Sequence, residues 1–315
     1  MKGMKSISGI FLWSGWMVRF MLLVVLVACG NNKQHQNVAG DDTLTSGTIH
    51  ISVDESFKPI IDSQIRVFEA SYPDAKIIAH YKSEQECFKD LLSDSTRLVI
   101  VTRGLTDQES DYFKDTLGFR PKWDRIAYDA IAVIVNNNAK DSLFTMSEIR
   151  DLMAGKSEMK YRVVFDGLSA TSTVRYALDS VLRGEPLGPN VAAAPTSVDV
   201  INYVAGNPDA IGFIGVSWIG NPEDENQLSF LESVRIASVQ VESPDDRGFV
   251  KPYQANIAKK RYPMVRGLHY IVKENYPGLG RGFTNFLSTE RGQLIFRRAY
   301  LWPAKMNFTI RNANI

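Results

Sequence analysis

The stretch Ile49–Pro73, IHISVDESFKPIIDSQIRVFEASYP, changes its hydrophobic period partway along. Ile49, Ile51 and Val53 alternate with His50 and Ser52, the pattern of a short half-buried strand. From Phe57 the apolar positions become Phe57, Ile60, Ile61, Ile65, Phe68 and Tyr72, which is helical spacing with one buried face. Ser56 stands where an N-cap is expected, and Pro59 falls in the first turn, where a missing N–H costs nothing. The spacing therefore predicts strand, tight turn and helix, with Asp54-Glu55-Ser56 at the carboxyl end of the strand. In open α/β sheets ligands bind there, and helix N-termini favour anions. A plainer account also stands: Ser56 caps its helix and the two carboxylates complement the helix dipole.

Upstream, Lys2, Lys5 and Arg19 precede the apolar run Met21–Ala28, which ends at Cys29-Gly30. This is the layout of a secretory signal at 1–28, and the apolar run is too short to span a bilayer. Leu26-Val27-Ala28-Cys29 resembles the bacterial lipobox, in which the cysteine becomes the lipidated first residue. Processing leaves 287 of 315 residues and removes three basic residues, taking the formal charge from +1 to −2. No basic run follows, so nucleic acid is not expected as a partner. With Cys29 lipidated only Cys87 remains, which excludes an intrachain disulfide and a cysteine metal site. His35, His50, His80 and His269 show no close metal-ligand spacing, and no cofactor is implied. Residues 29–47 are mostly small or polar and read as a flexible tether.

Farther along, strands are expected at Lys76–His80 and Leu98–Thr102, with a helix at Glu84–Leu92 between them. Thr106 and Glu109 form a capping-box pattern, Phe119–Val135 reads as paired strands, and Ser147 caps a short helix that stops at Gly155. A second strand–turn–helix follows: Arg162–Phe165, the polar turn Asp166–Thr171, and a helix from Ser172 through Leu182. Ser197 caps a helix over Val198–Ala205, strands are expected at Ile211–Gly215, Val234–Val241 and 262–272, and two helices occupy Arg281–Arg298. Strands alternating with short helices indicate α/β with largely parallel sheets.

In this order the pieces SFKPI…FEASYP, TRGLTDQE, AYDAIAVIVNN, SEIRDLMAGK, NPDAIGFIG, YPMVRGLHYIV and FTNFLSTERGQLIF resemble the phosphate-binding component of bacterial ABC importers. The resemblance implies a two-lobed periplasmic binding protein fold (type II), each lobe a mixed, mostly parallel sheet flanked by helices. It further implies lobes at 48–130 plus 240–315 and at 131–239, hinged by two crossing strands, with an oxyanion in the cleft. The family's glycine-rich turns are replaced here by Val53-Asp54-Glu55-Ser56, by Lys82-Ser83-Glu84-Gln85, and by the stretch from Phe165 to Arg175.

The candidate ligand residues are accordingly Asp54, Glu55, Ser56, Phe57, Ser83, Thr102, Arg103, Thr171, Ser172, Thr173 and Arg175. Arg103 follows a strand directly and has the fork geometry to grip an anion, or else pairs with Asp107 or Glu109. Arg175, one turn into its helix, either folds back to the cleft or lies solvated. Together they are expected to clamp one anion. Asp54 and Glu55 either accept a proton from a protonated oxyanion, bind a cationic ligand, or neutralise Arg103. The expected function is capture of inorganic phosphate or a related oxyanion for ABC permease subunits, by a monomer anchored in the bacterial envelope and facing the periplasm. The competing function is a structural or sensory lipoprotein of the same fold with no transported ligand. The sequence holds no GxSxG, HExxH or P-loop, and no enzyme is expected.

Overall fold

The opening stretch folds as strand, turn and helix. In the computed structural model, which describes residues 42–93, 96–167, 171–221 and 223–306, strand β1 (Gly47–Asp54) buries Ile49, Ile51 and Val53. The signal segment 1–28, Cys29 and turn residues 168–170 lie outside the described residues. Helix α1 (Lys58–Ser71) buries Ile60, Ile61, Gln64 and Phe68, and Phe68 meets Phe283 and Phe286 edge-on at 5.3 and 5.4 Å between ring centroids. Burying one such ring stabilises by about 1.5–3 kcal/mol.

Three expectations about helix starts are corrected by cap geometry. Asp54, not Ser56, caps the turn after β1: its Oδ1 accepts the Ser56 N–H at 3.0 Å, and Ser56 is inside a 3-10 turn, fully buried. Thr145 rather than Ser147 caps α4 (Met146–Ala154), and Thr196 rather than Ser197 caps α6 (Ser197–Gly206). In each case the side-chain oxygen that accepts a backbone N–H, a carboxylate at Asp54 and a hydroxyl at Thr145 and Thr196, lies nearer the chain's entry than the residue the sequence suggests. The expected capping box forms at Thr106 for α3 (Asp107–Leu117), and a second one is found at Ser83 for α2 (Glu84–Leu92).

The chain then supplies β2 (Ala75–Lys82), β3 (Leu98–Val101), β4 (Lys122–Asn136), β5 (Leu143–Phe144), β6 (Arg162–Phe165), β7 (Val191–Ala193) and β8 (Ala210–Gly215). Further on come β9 (Val234–Ile236), β10 (Ser238–Gln240), β11 (Phe249–Val250), β12 (Val265–Val272) and β13 (Trp302–Pro303). The expected strand pair at Phe119–Val135 is one long strand, and the expected strand Val234–Val241 is two short pieces. The strand expected over 262–272 begins only at Val265.

Strand order along the main sheet is β2-β1-β3-β12-β4-β8-β6-β7. Parallel triplets stand at the two ends: β1 runs parallel to β2 and β3, and β6 to β7 and β8. β12 and β4 join them as antiparallel strands. β4 changes partner midway: Lys122–Ala130 pair with β12, and Ile131–Val135 pair with β8. The main core runs continuously from Ile49, Phe57 and Phe283 on one side to Phe165, Phe213 and Leu152 on the other. The expected tether to residue 47 shortens, because Asp42 accepts Arg97 at 3.0 Å and the Leu279 N–H at 2.6 Å, fixing the chain there.

Candidate functional site

Where the two parallel triplets approach, four chain segments bring polar groups into one buried nest. The turn after β1 gives Asp54 and Ser56; the turn after β6 gives Asp166, Ser172 and Thr173; β4 gives Asp129 and β12 gives Arg266. All seven are buried. Thr171 caps the short helix α5 (Ser172–Tyr176), which places the Ser172 hydroxyl 3.4 Å from that of Ser56, 116 residues earlier. Arg266 donates from Nε to Asp129 Oδ2 at 2.8 Å and from Nη1 to Ser172 Oγ at 2.9 Å and Thr173 Oγ1 at 3.4 Å. Its guanidinium lies 5.0 Å from the Phe57 ring centroid, a cation–π contact. Ser217 donates to the Ser56 carbonyl at 2.6 Å. Gly215 leaves little room at the end of β8: a Cβ there would stand 3.0 Å from Arg266 Nη2 and 3.2 Å from the Ser56 carbonyl.

The unmatched atoms describe what the nest can bind. Arg266 Nη2 is a buried donor without a hydrogen-bond partner, and Asp54 Oδ2, Asp129 Oδ1 and Asp166 Oδ1 are buried acceptors without one. Buried polar groups left so cost about 1–3 kcal/mol each. A group that accepts from Arg266 and donates to a carboxylate would satisfy both kinds. Burial is the largest influence on the acids. It pushes Asp54 up to about 7, helped by the charge of Glu84 and opposed by Arg266. Burial likewise raises Asp129 and Asp166 against the pull of Arg266.

Two carboxylates tie the halves together beside the nest. Glu55, after β1, accepts Ser197 Oγ at 2.8 Å and the Ser197 N–H at 3.3 Å, at the start of α6. Burial raises Glu55 to about 7, the hydrogen bond from Ser197 opposing and the charge of Asp166 adding to it. Glu84, at the start of α2, accepts Arg175 Nε at 2.6 Å and the Thr102 N–H at 2.9 Å, and bonds the Thr102 hydroxyl as well. Burial alone would raise Glu84, but Arg175 and Thr102 together hold it below the usual carboxylate range.

Among the sequence-derived candidates, the structure gathers Asp54, Ser56, Phe57, Ser172 and Thr173 at the nest, with Glu55, Thr102, Thr171 and Arg175 at its margin. The expected convergence of Arg103 and Arg175 is not formed. Both forks of Arg103 are taken by Glu109 at 2.8 Å, its guanidinium also reaches the Gly104 carbonyl, and it stacks 3.8 Å over Phe88. The Ser83 side chain is engaged by Glu86 in its capping box. Sequence reasoning passed over Arg266 and Asp129 as ordinary strand residues. Their signal was a charge in the buried phase of an apolar strand, Val265-Arg266-Gly267-Leu268 and Tyr128-Asp129-Ala130-Ile131. No helix among the described residues is long and apolar enough to cross a membrane.

The chain is 24% identical over 322 residues to the phosphate-binding protein PstS of Bacillus subtilis, covering 95% of each. It is 20% identical to the PstS of Pseudomonas aeruginosa, covering 91% of this chain and 96% of that one. A Clostridium perfringens substrate-binding protein solved with bound phosphate superposes with a TM-score of 0.68 at 24% identity, over 82% of this chain and 100% of that one. An ABC-type phosphate transport receptor of Vibrio cholerae superposes with a TM-score of 0.60 at 18% identity, again over 82% and 100%. These structures share the mixed α/β, two-lobed periplasmic binding protein fold. The PBP superfamily domain matches residues 39–291, most of the chain, and to that family the protein belongs.

Proposed function

We propose that this protein is the solute-binding component of an ABC importer and that it captures inorganic phosphate in the nest between its lobes. The observation that carries this is the chemistry of the unmatched atoms around Arg266: one buried guanidinium donor beside three buried carboxyl acceptors, with hydroxyls from both sides. Phosphate near neutral pH carries both acceptor oxygens and hydroxyl donors, so it can take a bond from Arg266 and give one to Asp54 or Asp166. Sulfate has no proton to give at that pH. The lobes are 48–130 plus 240–315 and 131–239, a division supported by the change of β4's partner after Ala130. The protein acts as a monomer without catalysis, delivers its ligand to permease subunits, and is held on the envelope membrane, facing the periplasm, by lipid on Cys29.

Calorimetry on protein lacking residues 1–29 tests the ligand. Phosphate is expected to bind and sulfate to bind at least tenfold more weakly. Absence of binding to phosphate, arsenate, molybdate and organic phosphates, in protein freed of carried-over ligand, overturns the reading in favour of a structural or sensory role.

A further inference from the structure

Gly267 stands opposite Tyr128 in the β12–β4 ladder, and His269 opposite Arg125. Ile126 is the extra residue between these pairs, a β-bulge that turns Arg125 and Tyr128 onto one face of β4. Three residues apart on a regular strand, they would point to opposite faces. The Arg125 guanidinium is then held at two points: Nε donates to His269 Nε2 at 3.3 Å and Nη1 to the Tyr128 hydroxyl at 2.7 Å. Burial and the Arg125 charge push His269 down to about 4, so its ring stays neutral and accepts from the arginine. Gly267 makes the space: a Cβ there would stand 2.4 Å from His269 Cε1 and 3.1 Å from Arg125 Nε.

What this fixed arginine lacks is an acid. Among the described residues no ion pair involves Arg125 or Lys260, whereas Arg261 is matched by Asp246 at 2.7 Å. Lys260 holds a left-handed backbone, φ 53°, just past the short helix Gln254–Ala258, a conformation that costs a side chain free energy. Both cations line a cavity of about 540 Å³ with Tyr128, Tyr262 and Trp302 in its wall, and Glu242 is the one acid in that lining among the described residues. Trp302 stands opposite Tyr128 in the β13–β4 ladder, which sets two aromatic residues side by side. The lining comes from 48–130 and 240–315 and includes nothing from 131–239, so the cavity is separate from the interlobe nest. Arg266 borders it, but with Nε and Nη1 committed to Asp129 and Ser172 and Nη2 beside Gly215.

We propose that this cavity is a second ligand site, which takes a small aromatic oxyanion: a ring bearing a carboxylate or phosphate head. The head pairs with Arg125 and Lys260, and the ring lies against Tyr128 and Trp302. The volume is that of a small-molecule site, and a bare inorganic anion would leave the aromatic wall uncovered. The site stands whether or not the nest binds phosphate.

Calorimetry on protein lacking residues 1–29, with inorganic phosphate in excess, tests it. Phenylacetate and phenyl phosphate probe the two heads, and ribose 5-phosphate is the anion without an aromatic ring. At least one aromatic probe should bind, at least tenfold tighter than ribose 5-phosphate. Arg125→Ala should weaken that binding at least tenfold and leave the response to inorganic phosphate, titrated alone, unchanged. Gly267→Ala, which crowds His269 and Arg125, should weaken it as well. If Arg125→Ala does not fold, Lys260→Gly, which keeps the backbone conformation and removes the charge, takes its place. No binding of either aromatic probe, or binding that these substitutions leave unchanged, overturns the site. Binding seen only when inorganic phosphate is left out assigns the probe to the nest and overturns it too.

Discussion

Arg266 and Asp129 are direct partners across the antiparallel ladder of β12 and β4, and their buried side chains repeat the pairing with a 2.8 Å hydrogen bond. The register that pairs the backbones thus also pairs the charges. Removing one member strands the other. Arg266→Ala should abolish oxyanion binding and destabilise by about 3–5 kcal/mol, the cost of an uncompensated buried charge. Arg266→Met with Asp129→Leu should recover much of the stability and none of the binding. Urea unfolding of the parent and these two variants decides it; a single variant as stable as the double would refute the pairing.

Arg175 and Arg103 should part company. Arg175→Ala leaves buried Glu84 with only Thr102, and losing a charge-assisted hydrogen bond costs about 1.5–3 kcal/mol. Arg103 is a partly exposed partner of Glu109, so Arg103→Ala should cost under about 1 kcal/mol and leave phosphate affinity unchanged. Calorimetry and thermal melting on both variants check this. A tenfold loss of phosphate affinity in Arg103→Ala would bring back an arginine clamp.

Stability should fall as pH rises toward neutrality, relative to a variant lacking the buried acids. Asp54 and Glu55 sit at about 7 when folded, against 3.8 and 4.5 as ordinary carboxyls. Between those values the folded protein holds protons that the unfolded chain has released. The contribution is therefore complete below about pH 4 and lost as pH climbs through 7. The difference between parent and the Asp54→Asn, Glu55→Gln double variant should change by about 2–4 kcal/mol across that window. Glu84, Asp42 and Asp90, all displaced downward, act in the opposite sense and cancel in the comparison. A flat difference from pH 4 to 8 would contradict the burial of these acids.

Gly215→Ala places a methyl against Arg266 Nη2 and the Ser56 carbonyl, at 3.0 and 3.2 Å. Overpacking of this kind costs about 1–3 kcal/mol. Because the crowded atom is the unmatched donor, phosphate affinity should drop by tenfold or more, and the drop should exceed any change in affinity caused by Gly206→Ala, where a Cβ meets nothing within 4 Å.

Cys29→Ser should abolish lipid attachment and release the protein from membranes. A lipid chain adds about 0.8 kcal/mol per buried methylene, and stable anchoring takes at least two chains. Continued incorporation of labelled palmitate into the variant would exclude Cys29 as the anchor.

The opening strand–turn–helix was legible because both periods appear in one short stretch and the apolar positions, apart from half-buried Ile65 and exposed Tyr72, are buried. What the sequence hid were relationships between distant segments. Ser56 carries the residue type of an N-cap, but Asp54, two residues before it, reaches its N–H first. Asp129 and Arg266 each look like a fault in an apolar strand, and only the ladder register shows that the two faults face one another. Arg103 shows the converse: its position after a strand suggested a ligand, while Glu109, six residues on, already satisfied its fork.

The fifteen-residue length of β4 makes it a rod about 50 Å long at the rise of a strand. It passes from one neighbour to the other one residue after Asp129, where the Ile131 N–H is held by the Met264 carbonyl at 2.9 Å. Rotation of one half of the sheet against the other must be absorbed there as torsion, since the ladders on either side resist shear. The nest's central carboxylate is thus mounted on a spring. Whatever changes its pairing bears on the joint, so the proposed solute site and the change of strand partner meet within two residues of one another.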